Sequence, residues 1–312
     1  MTATAPGKVI LFGEHSVVHG RPAIAVPVFS VKSTASITSE GPDLILKTPD
    51  LKEEAASLES ASSKARPLYQ TLLNAKDALK INKNFTIEVS STVPFSAGMG
   101  SGASTAAAAI KEIAQHFKAK ASLDELNALV YKTEVMHHGN PSGADNTVIC
   151  YEKPVYFKRN LAEGPNLVQA LDIKTPFEVV IANTGIAGNT KELVAGVKER
   201  MEKNRNEYEA CFDAMAAIAQ KAKALIETPS DYRELGPLMN QNHELLKRIG
   251  VSHPSLEALV VAARNAGALG AKLVGAGGGG NMIALTNGKN AEEIASALRK
   301  AGATNTIITR VG

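Results

Sequence analysis

The segment Pro94-Phe-Ser-Ala-Gly-Met-Gly-Ser-Gly102 constrains this chain more than any other. It follows an alternating stretch, 85–92, in which Phe85, Ile87 and Val89 fall on one side as a strand requires, and it runs into Ala103–Phe117, an alanine-rich stretch of high helix propensity. Glycines at 98, 100 and 102 let the backbone turn sharply and aim several amide N–H groups into one space. Together with the N-terminus of the following helix, those donors make a natural anion site. The same residues also suit a tight strand-to-helix turn with no ligand, and the local pattern leaves both readings open.

Two other glycine loops are excluded by context. A P-loop needs Gly, four residues, then Gly-Lys-Ser/Thr, which occurs nowhere in the chain. Gly98-x-Gly100-x-x-Ala103 fits a variant of the dinucleotide fingerprint, but that fold requires a second parallel strand ending in an acidic residue about 20 positions on. A helix at 122–138 stands there instead. A second run, Gly275-Ala-Gly-Gly-Gly-Gly280, has the same spacing and leads into strand rather than helix, so it reads as a close-packed backbone turn supporting a site.

The 312 residues suffice for two domains of about 150 residues sharing a cleft. A hydrophobic fraction of 44% excludes disorder, and 34 basic against 31 acidic residues leaves +3, too little to announce a nucleic-acid or membrane-surface partner. Cys150 and Cys211 belong to no CxxC pair and read as free thiols of a reducing cytosol. No apolar run approaches the roughly 18 residues that span a bilayer, and the first residues lack the basic-then-apolar order of a signal peptide. The expected location is cytoplasmic.

Residues 8–13 and 23–39 read as strands, 41–63 as mixed polar chain, and 64–80 as a helix through Leu68, Leu72, Leu73 and Leu79. Ser122-Leu-Asp-Glu125 is a capping box opening a helix that ends near Gly139. Residues 146–157 read as two short strands around Glu152-Lys153-Pro154, and 159–176 as a linker, with a boundary near 172 dividing lobes 1–172 and 173–312. Beyond it come a strand at 177–183 and helices at 190–203, 206–227, 231–249 and 254–267. Strands at 271–274, 282–286 and 304–309 and a helix at 291–301 close the chain.

Lys8 opens the first strand and Gly13-Glu14-His15 ends it, where strand ends border clefts. Glu134 lies near the end of the helix 122–138, and Asp145 follows 11 residues later across Gly139-Asn-Pro-Ser-Gly143. Those turns can bring both carboxylates to one space, where one holds Mg²⁺ and the other accepts a hydroxyl proton, the pairing a phosphoryl transferase needs. An exposed helix glutamate and a turn-capping aspartate are the plainer use of the same residues. His137 and His138 have no zinc-like spacing and read as packing or solvent contacts.

In order and spacing, Pro6-Gly-Lys-Val-Ile-Leu-Phe-Gly-Glu-His15, Pro94-Phe-Ser-Ala-Gly-Met-Gly-Ser-Gly-Ala103 and Lys272-Leu-Val-Gly-Ala-Gly-Gly-Gly-Gly280 resemble the three signature motifs of the GHMP kinases, a family of small-molecule kinases. The resemblance spans nearly the whole chain. It is strongest to members that phosphorylate mevalonate, through Lys8, Gly13-Glu14-His15 and His138-Gly-Asn-Pro-Ser-Gly-Ala-Asp145. It implies an α+β fold of two lobes with the active site in the cleft between them. The N-terminal, ATP-binding lobe would be like domain 2 of ribosomal protein S5, with a left-handed βαβ crossover, and the C-terminal lobe ferredoxin-like. The implied activity is ATP-dependent phosphorylation of the C5 hydroxyl of mevalonate in isoprenoid synthesis. Another small alcohol, phosphomevalonate, or a catalytically silent nucleotide-binding role are the alternatives.

Residue roles follow from the same matching. Asp145 corresponds to the proton acceptor, with Lys8 close to it and to the transferring phosphate, where it stabilises negative charge. Glu134 and Ser101 correspond to Mg²⁺ ligands, and Pro94, Ser96, Ala97, Gly98, Met99, Gly100, Ser101, Gly102 and Ser104 to the ATP-binding segment. Lys8, Glu14, His15, Asp145 and Thr184 would meet mevalonate. One departure stands out: the family usually carries two serines after Gly-Leu-Gly, the second reaching Mg²⁺, and here the chain reads Gly-Met-Gly-Ser101-Gly102. Ser101, Ser104 or a water is left to fill that place. The implied partners are mevalonate and ATP, without nucleic acid or membrane; monomer or homodimer stays open.

Overall fold

The computed structural model describes residues 2–94, 98–139 and 141–312, apart from the side chain of His138. Ser96 and Ala97 therefore lie outside the described residues. The chain forms two compact units: Met1–Lys8 with Val31–Phe95 and Met99–Glu152, and Val9–Ser30 with Ser96–Gly98 and Lys153–Gly312. The last residue of the first unit is Glu152, and residues 9–30 belong to the second. Strands β1 (Ala3–Phe12) and β2 (Pro22–Gly41) each contribute to both.

In the first unit β3 (Ile45–Thr48), β4 (Glu53–Ala55) and β5 (Asn84–Ser91) join the second half of β2 in the order β4-β3-β5-β2. β5 runs antiparallel to β2, from Ser33 opposite Ser91 to Gly41 opposite Asn84, while β3 runs parallel to β5. A parallel pair needs a crossover, and the chain between the two holds α1 (Arg66–Ala78), whose Leu68, Tyr69, Leu72 and Ala75 form its buried stripe. Helices α2 (Ser101–His116), α3 (Leu123–His138) and α4 (Ala144–Tyr151) complete the unit. α2 buries Ala103 and Ala106–Ala109 against a core that includes Phe85, Ile87, Leu72 and Val130, its small side chains allowing close approach. α3 begins on the expected capping box, with Ser122 accepting from Glu125 N–H and the Glu125 carboxylate accepting from Ser122 N–H.

Three expectations change here. Residues 146–151 are helix, not strand: α4 starts from Gly143, the Thr147 hydroxyl donates to the Gly143 carbonyl at 2.7 Å, and Asn146–Cys150 are all buried. Burial on several sides overrides the strand preference of Thr147-Val-Ile149. Only β6 (Val155–Lys158) follows as a strand. The polar stretch 41–63 contains β3 and β4, and the linker stretch 159–176 contains β7 (Leu167–Ala170), a strand exposed along its length. β7 carries no alternating apolar signal because it buries little, and β3 and β4 are too short for a period to show.

In the second unit the first residues of β2 pair with β6, and β6 with β7, both antiparallel. A separate antiparallel sheet has the order β11-β8-β10-β9, built from β8 (Phe177–Asn183), β9 (Gly270–Val274), β10 (Asn281–Leu285) and β11 (Asn305–Val311). The fourth strand beside the first and the third beside the second is the ferredoxin-like order. Helices α5 (Thr190–Lys203), α6 (Arg205–Glu227), α7 (Leu235–Arg248) and α8 (Pro254–Asn265) separate β8 from β9, and α9 (Ala291–Lys300) separates β10 from β11. Phe212, Met215, Leu246, Leu256, Leu273, Met282 and Leu298 close its core.

A buried acid in α2 holds the bend of β2. The register of β2 against β5 slips between Ile37 and Ser39, and Glu112 Oε1 accepts the Ile37 N–H at 3.1 Å from a fully buried position. Removing that acceptor orphans a buried donor and opens a cavity. Glu112→Ala is expected to lower unfolding free energy by about 2–4 kcal/mol and Glu112→Gln by about 1 kcal/mol, since the amide oxygen still accepts. Chemical denaturation of the three proteins checks the order.

Candidate active site

Lys8 is the hub of the site in the first unit. It sits on β1 with its own N–H bonded to the Met99 carbonyl at 3.0 Å, which ties the strand to the glycine loop. Its side chain is nearly buried, and its ammonium meets Asp145 Oδ2 at 2.6 Å. Asp145 lies in the first turn of α4, where the helix dipole favours an anion, and its side chain keeps 27% exposure, so one face is open to a ligand. A Cβ on Gly100 would lie 3.0 Å from Lys8 Cγ, 3.1 Å from Lys8 Cε and 2.8 Å from Ile149 Cδ1. The lysine stem therefore crosses a residue that can have no side chain. Gly100 also has a φ of 72°, in the left-handed region that favours glycine.

Gly100 is the N-cap of α2, and the first bond within the helix runs from Ser104 N–H to Gly100 C=O. The amides ahead of Ser104 are the open donors of a sixteen-residue helix, next to the Lys8 stem. Ser101 is the first residue of α2 and is half-buried. Ser104 is fully buried and its hydroxyl donates to the Ala5 carbonyl at 2.9 Å, so its proton is committed to β1. The Met99 side chain is buried, leaving its backbone as what a ligand could meet, while Gly98 is exposed and Pro94 half-buried.

Glu134, on α3, is 2% exposed, and a Cβ on Gly102 would lie 3.2 Å from its Oε1. Burial pushes its pKa up to about 8, the neighbouring Asp145 carboxylate adds to the rise, and Lys8 opposes it. Among the described residues no group of three or more His, Cys, Asp or Glu side chains is arranged to hold a metal ion. A hard divalent cation bound by one or two carboxylates with phosphate oxygens and water nonetheless fits this donor set, and its charge would relieve the repulsion between Glu134 and Asp145.

The second unit holds Glu14, His15 and Thr184 together with the third glycine run. Lys272 of β9 and Glu14 form an ion pair with no exposure on either side chain, and Lys272 also donates to the Leu273 carbonyl. Asn242 of α7 donates to Glu14 Oε2 at 3.2 Å. Burial pushes the Glu14 pKa up and that of Lys272 down, and the pairing opposes both. His15, with a φ of 59°, puts Nε2 2.9 Å from the Ala276 carbonyl. A carbonyl only accepts, so Nε2 carries the proton and Nδ1 presents a lone pair. Nδ1 is buried and has no partner among the described residues, and burial pushes the imidazole pKa down to about 4. Thr184 N–H donates to the Gly280 carbonyl at 2.9 Å, and its hydroxyl accepts from Ile186 N–H at 3.2 Å. The glycine run is packed as backbone: a Cβ on Gly277 would stand 1.9 Å from the Val251 carbonyl oxygen.

Lys272, Asn242 and the Ala276 carbonyl had no role in the sequence reading. Lys272 left one signal, a lone charge inside the apolar strand Ala271-Lys-Leu-Val274, since lysine in a strand buried on both faces must find a counter-charge.

Residues 66–153 match the GHMP kinases N terminal domain and residues 214–304 the GHMP kinases C terminal family. The chain is 38% identical to the mevalonate kinase of Pyrococcus abyssi over 99% of this chain and 95% of that protein. It is similar to the crystal structure of the Methanococcus jannaschii mevalonate kinase, at TM-score 0.86 and 28% identity over 100% of this chain and 98% of the other. The L. major mevalonate kinase, solved in complex with R-mevalonate, matches at TM-score 0.83 and 26% identity over 100% of this chain and 95% of the other. On these grounds the chain belongs to the GHMP kinases and, within them, to the mevalonate kinase family.

Proposed function

We propose that this protein transfers the terminal phosphoryl group of ATP to the C5 hydroxyl of mevalonate, giving 5-phosphomevalonate and ADP. The observation that carries the reading is the Lys8–Asp145 pair lying across Gly100 at the start of α2. A triphosphate at the open amides of α2 would bring its terminal phosphorus beside the lysine ammonium, and a substrate hydroxyl beside Asp145 completes an in-line arrangement. The bond from hydroxyl oxygen to phosphorus forms, the bond from phosphorus to the bridging oxygen of ADP breaks, and the hydroxyl proton passes to the Asp145 carboxylate. Aspartate is a feeble base toward an alcohol, so the proton moves late and most of the acceleration comes from positioning and from Lys8 facing the developing charge.

Glu134 and Ser101 would hold Mg²⁺, which supplies neutralisation of charge on the triphosphate oxygens. His15 offers a neutral ring with an acceptor at Nδ1, matched to a substrate hydroxyl. Glu14, with one oxygen paired to Lys272 and the other accepting from Asn242, holds the adjoining His15 and contributes to the substrate pocket through it. The resemblance also assigns Thr184 to that pocket. Cys150 and Cys211 are free thiols, which supports a cytoplasmic location.

Asp145→Asn is expected to lower kcat by about 10²–10⁴-fold while binding of a fluorescent ATP analogue stays within about threefold. Equal turnover in wild type and variant would instead favour a nucleotide-binding protein without catalysis. In an ADP-release assay over mevalonate, phosphomevalonate, galactose and homoserine, mevalonate is the expected substrate, with NMR locating phosphate on C5. Preference for any other acceptor overturns the substrate assignment.

An ordinary histidine charges as pH falls through about 6.5, whereas His15 stays neutral down to about 4. No His15 titration should therefore appear in the KM for mevalonate between pH 6 and pH 8. His15→Phe, lacking the acceptor, should raise KM about tenfold with the nucleotide KM unchanged, the loss expected for one hydrogen bond. A KM that climbs as pH drops through 6.5 in the wild type, and not in His15→Phe, would contradict the neutral-ring assignment.

A further inference from the structure

Gly102 is the second residue of α2, and two side chains crowd the point where its own would begin. A Cβ there would lie 3.0 Å from His137 Cδ2, 3.1 Å from His137 Nε2 and 3.2 Å from Glu134 Oε1. Glu134 and His137 are three residues apart on α3, the spacing that puts side chains on one face of a helix. His137 is exposed and was read from sequence only as a packing or solvent contact, yet its ring nitrogen reaches the first turn of α2 beside the buried carboxylate. A serine at 102 would stand inside ordinary contact distance of the imidazole in this position. A side chain at 102 and the ring in this position therefore press on one another by a few tenths of an ångström.

We infer that His137 is a metal-selecting residue of this kinase: its Nε2 supplies a nitrogen donor, alongside the Glu134 carboxylate, to the divalent cation that accompanies the nucleotide. This rests on the nucleotide site proposed above. Imidazole is a poor partner for Mg²⁺ and a good one for first-row transition ions, so a carboxylate and imidazole pair favours Mn²⁺ or Co²⁺ over Mg²⁺ more than an all-oxygen set does. With Ser101, the three protein donors leave the remaining positions to phosphate oxygens and water. Glycine at 102 is what gives the ring its place.

The test uses the full chain with Mn²⁺ and the β,γ-methylene analogue of ATP, which has no bridging nitrogen. Pulsed EPR of the ternary complex should show a ¹⁴N coupling from a directly bound imidazole that becomes a ¹⁵N coupling when the protein is grown on ¹⁵N-histidine. His137→Gln should abolish it and weaken Mn²⁺ binding about tenfold, with Mg²⁺ binding changed much less. Gly102→Ser should displace the ring and lose the coupling as well, and Gly102→Ser with His137→Ala should bind Mg²⁺ at least as well as the wild type. Circular dichroism and thermal melts confirm that each variant is folded. A wild-type Mn²⁺–nucleotide complex without histidine nitrogen coupling, or a coupling that persists in His137→Gln, overturns the inference. If that spectrum lacks nitrogen while mevalonate is still phosphorylated, the functional reading stands and the role of His137 falls. If the coupling is present but mevalonate is not turned over, the reverse holds. Failure of the wild type to bind the Mn²⁺–nucleotide complex overturns both.

Discussion

A nearly buried ammonium must have a counter-charge, and in this protein that requirement organises the glycine-loop end of the first unit. Lys8 is 2% exposed, and burying its charge alone would be prohibitive. Asp145 answers it at 2.6 Å, which requires α4 to begin at Gly143 and to aim its first turn at β1. The stem can reach that far only because Gly100 has no side chain in its path, and the Lys8 N–H holds the loop by the Met99 carbonyl. Strand, loop and two helix N-termini are therefore set by one ion pair. Asp145 keeps part of its surface open, so the pair that stabilises the arrangement is also the one a substrate can reach.

The Glu14–Lys272 pair obeys the same electrostatics with the opposite result. Both partners are sealed, and the remaining Glu14 oxygen accepts from Asn242. A sealed pair gives little net stability over an apolar substitute, but losing one partner leaves a buried charge uncompensated. Its consequence is positional: the end of β1 is held to β9 and α7, and the next residue, His15, is held against the Ala276 carbonyl as a neutral ring. Charge in this second constellation places an uncharged acceptor, whereas the charged pair at Lys8 keeps an exposed carboxylate face of its own.

Much of this was legible from residues alone, and the gaps have physical causes. The helix from Ser122 to Gly139 was readable because caps and amphipathic spacing are local, and the glycine run 275–280 because backbone contact demands glycine wherever it occurs. Residues 146–151 were misread because a β-branched run buried on several sides looks the same in sequence whether it forms strand or helix. β3 and β4 are hidden because strands of four and three residues are too short for a period to show, and β7 because it is exposed along its length. Lys8 and Asp145 are joined only through the fold, so periodicity could not pair them, and it was the motif resemblance that did. The role of Lys272 had only a faint trace, a single charge in an apolar strand.

Gly100 and Gly102 show why a glycine loop cannot be read one residue at a time. In both, the absent Cβ is replaced by a side chain from another element, the Lys8 stem at one position and the His137 ring at the other. The glycine is needed for the space as well as for the turn, and what fills that space carries a functional group. A substitution at either position would therefore act by moving a lysine or an imidazole, and its first effect would fall on the charged and polar atoms beside the start of α2. The departure from two serines then stops being a deficiency. At 102, in the first turn of α2, the chain has no hydroxyl, and the nearest polar groups are a carboxylate and an imidazole from α3.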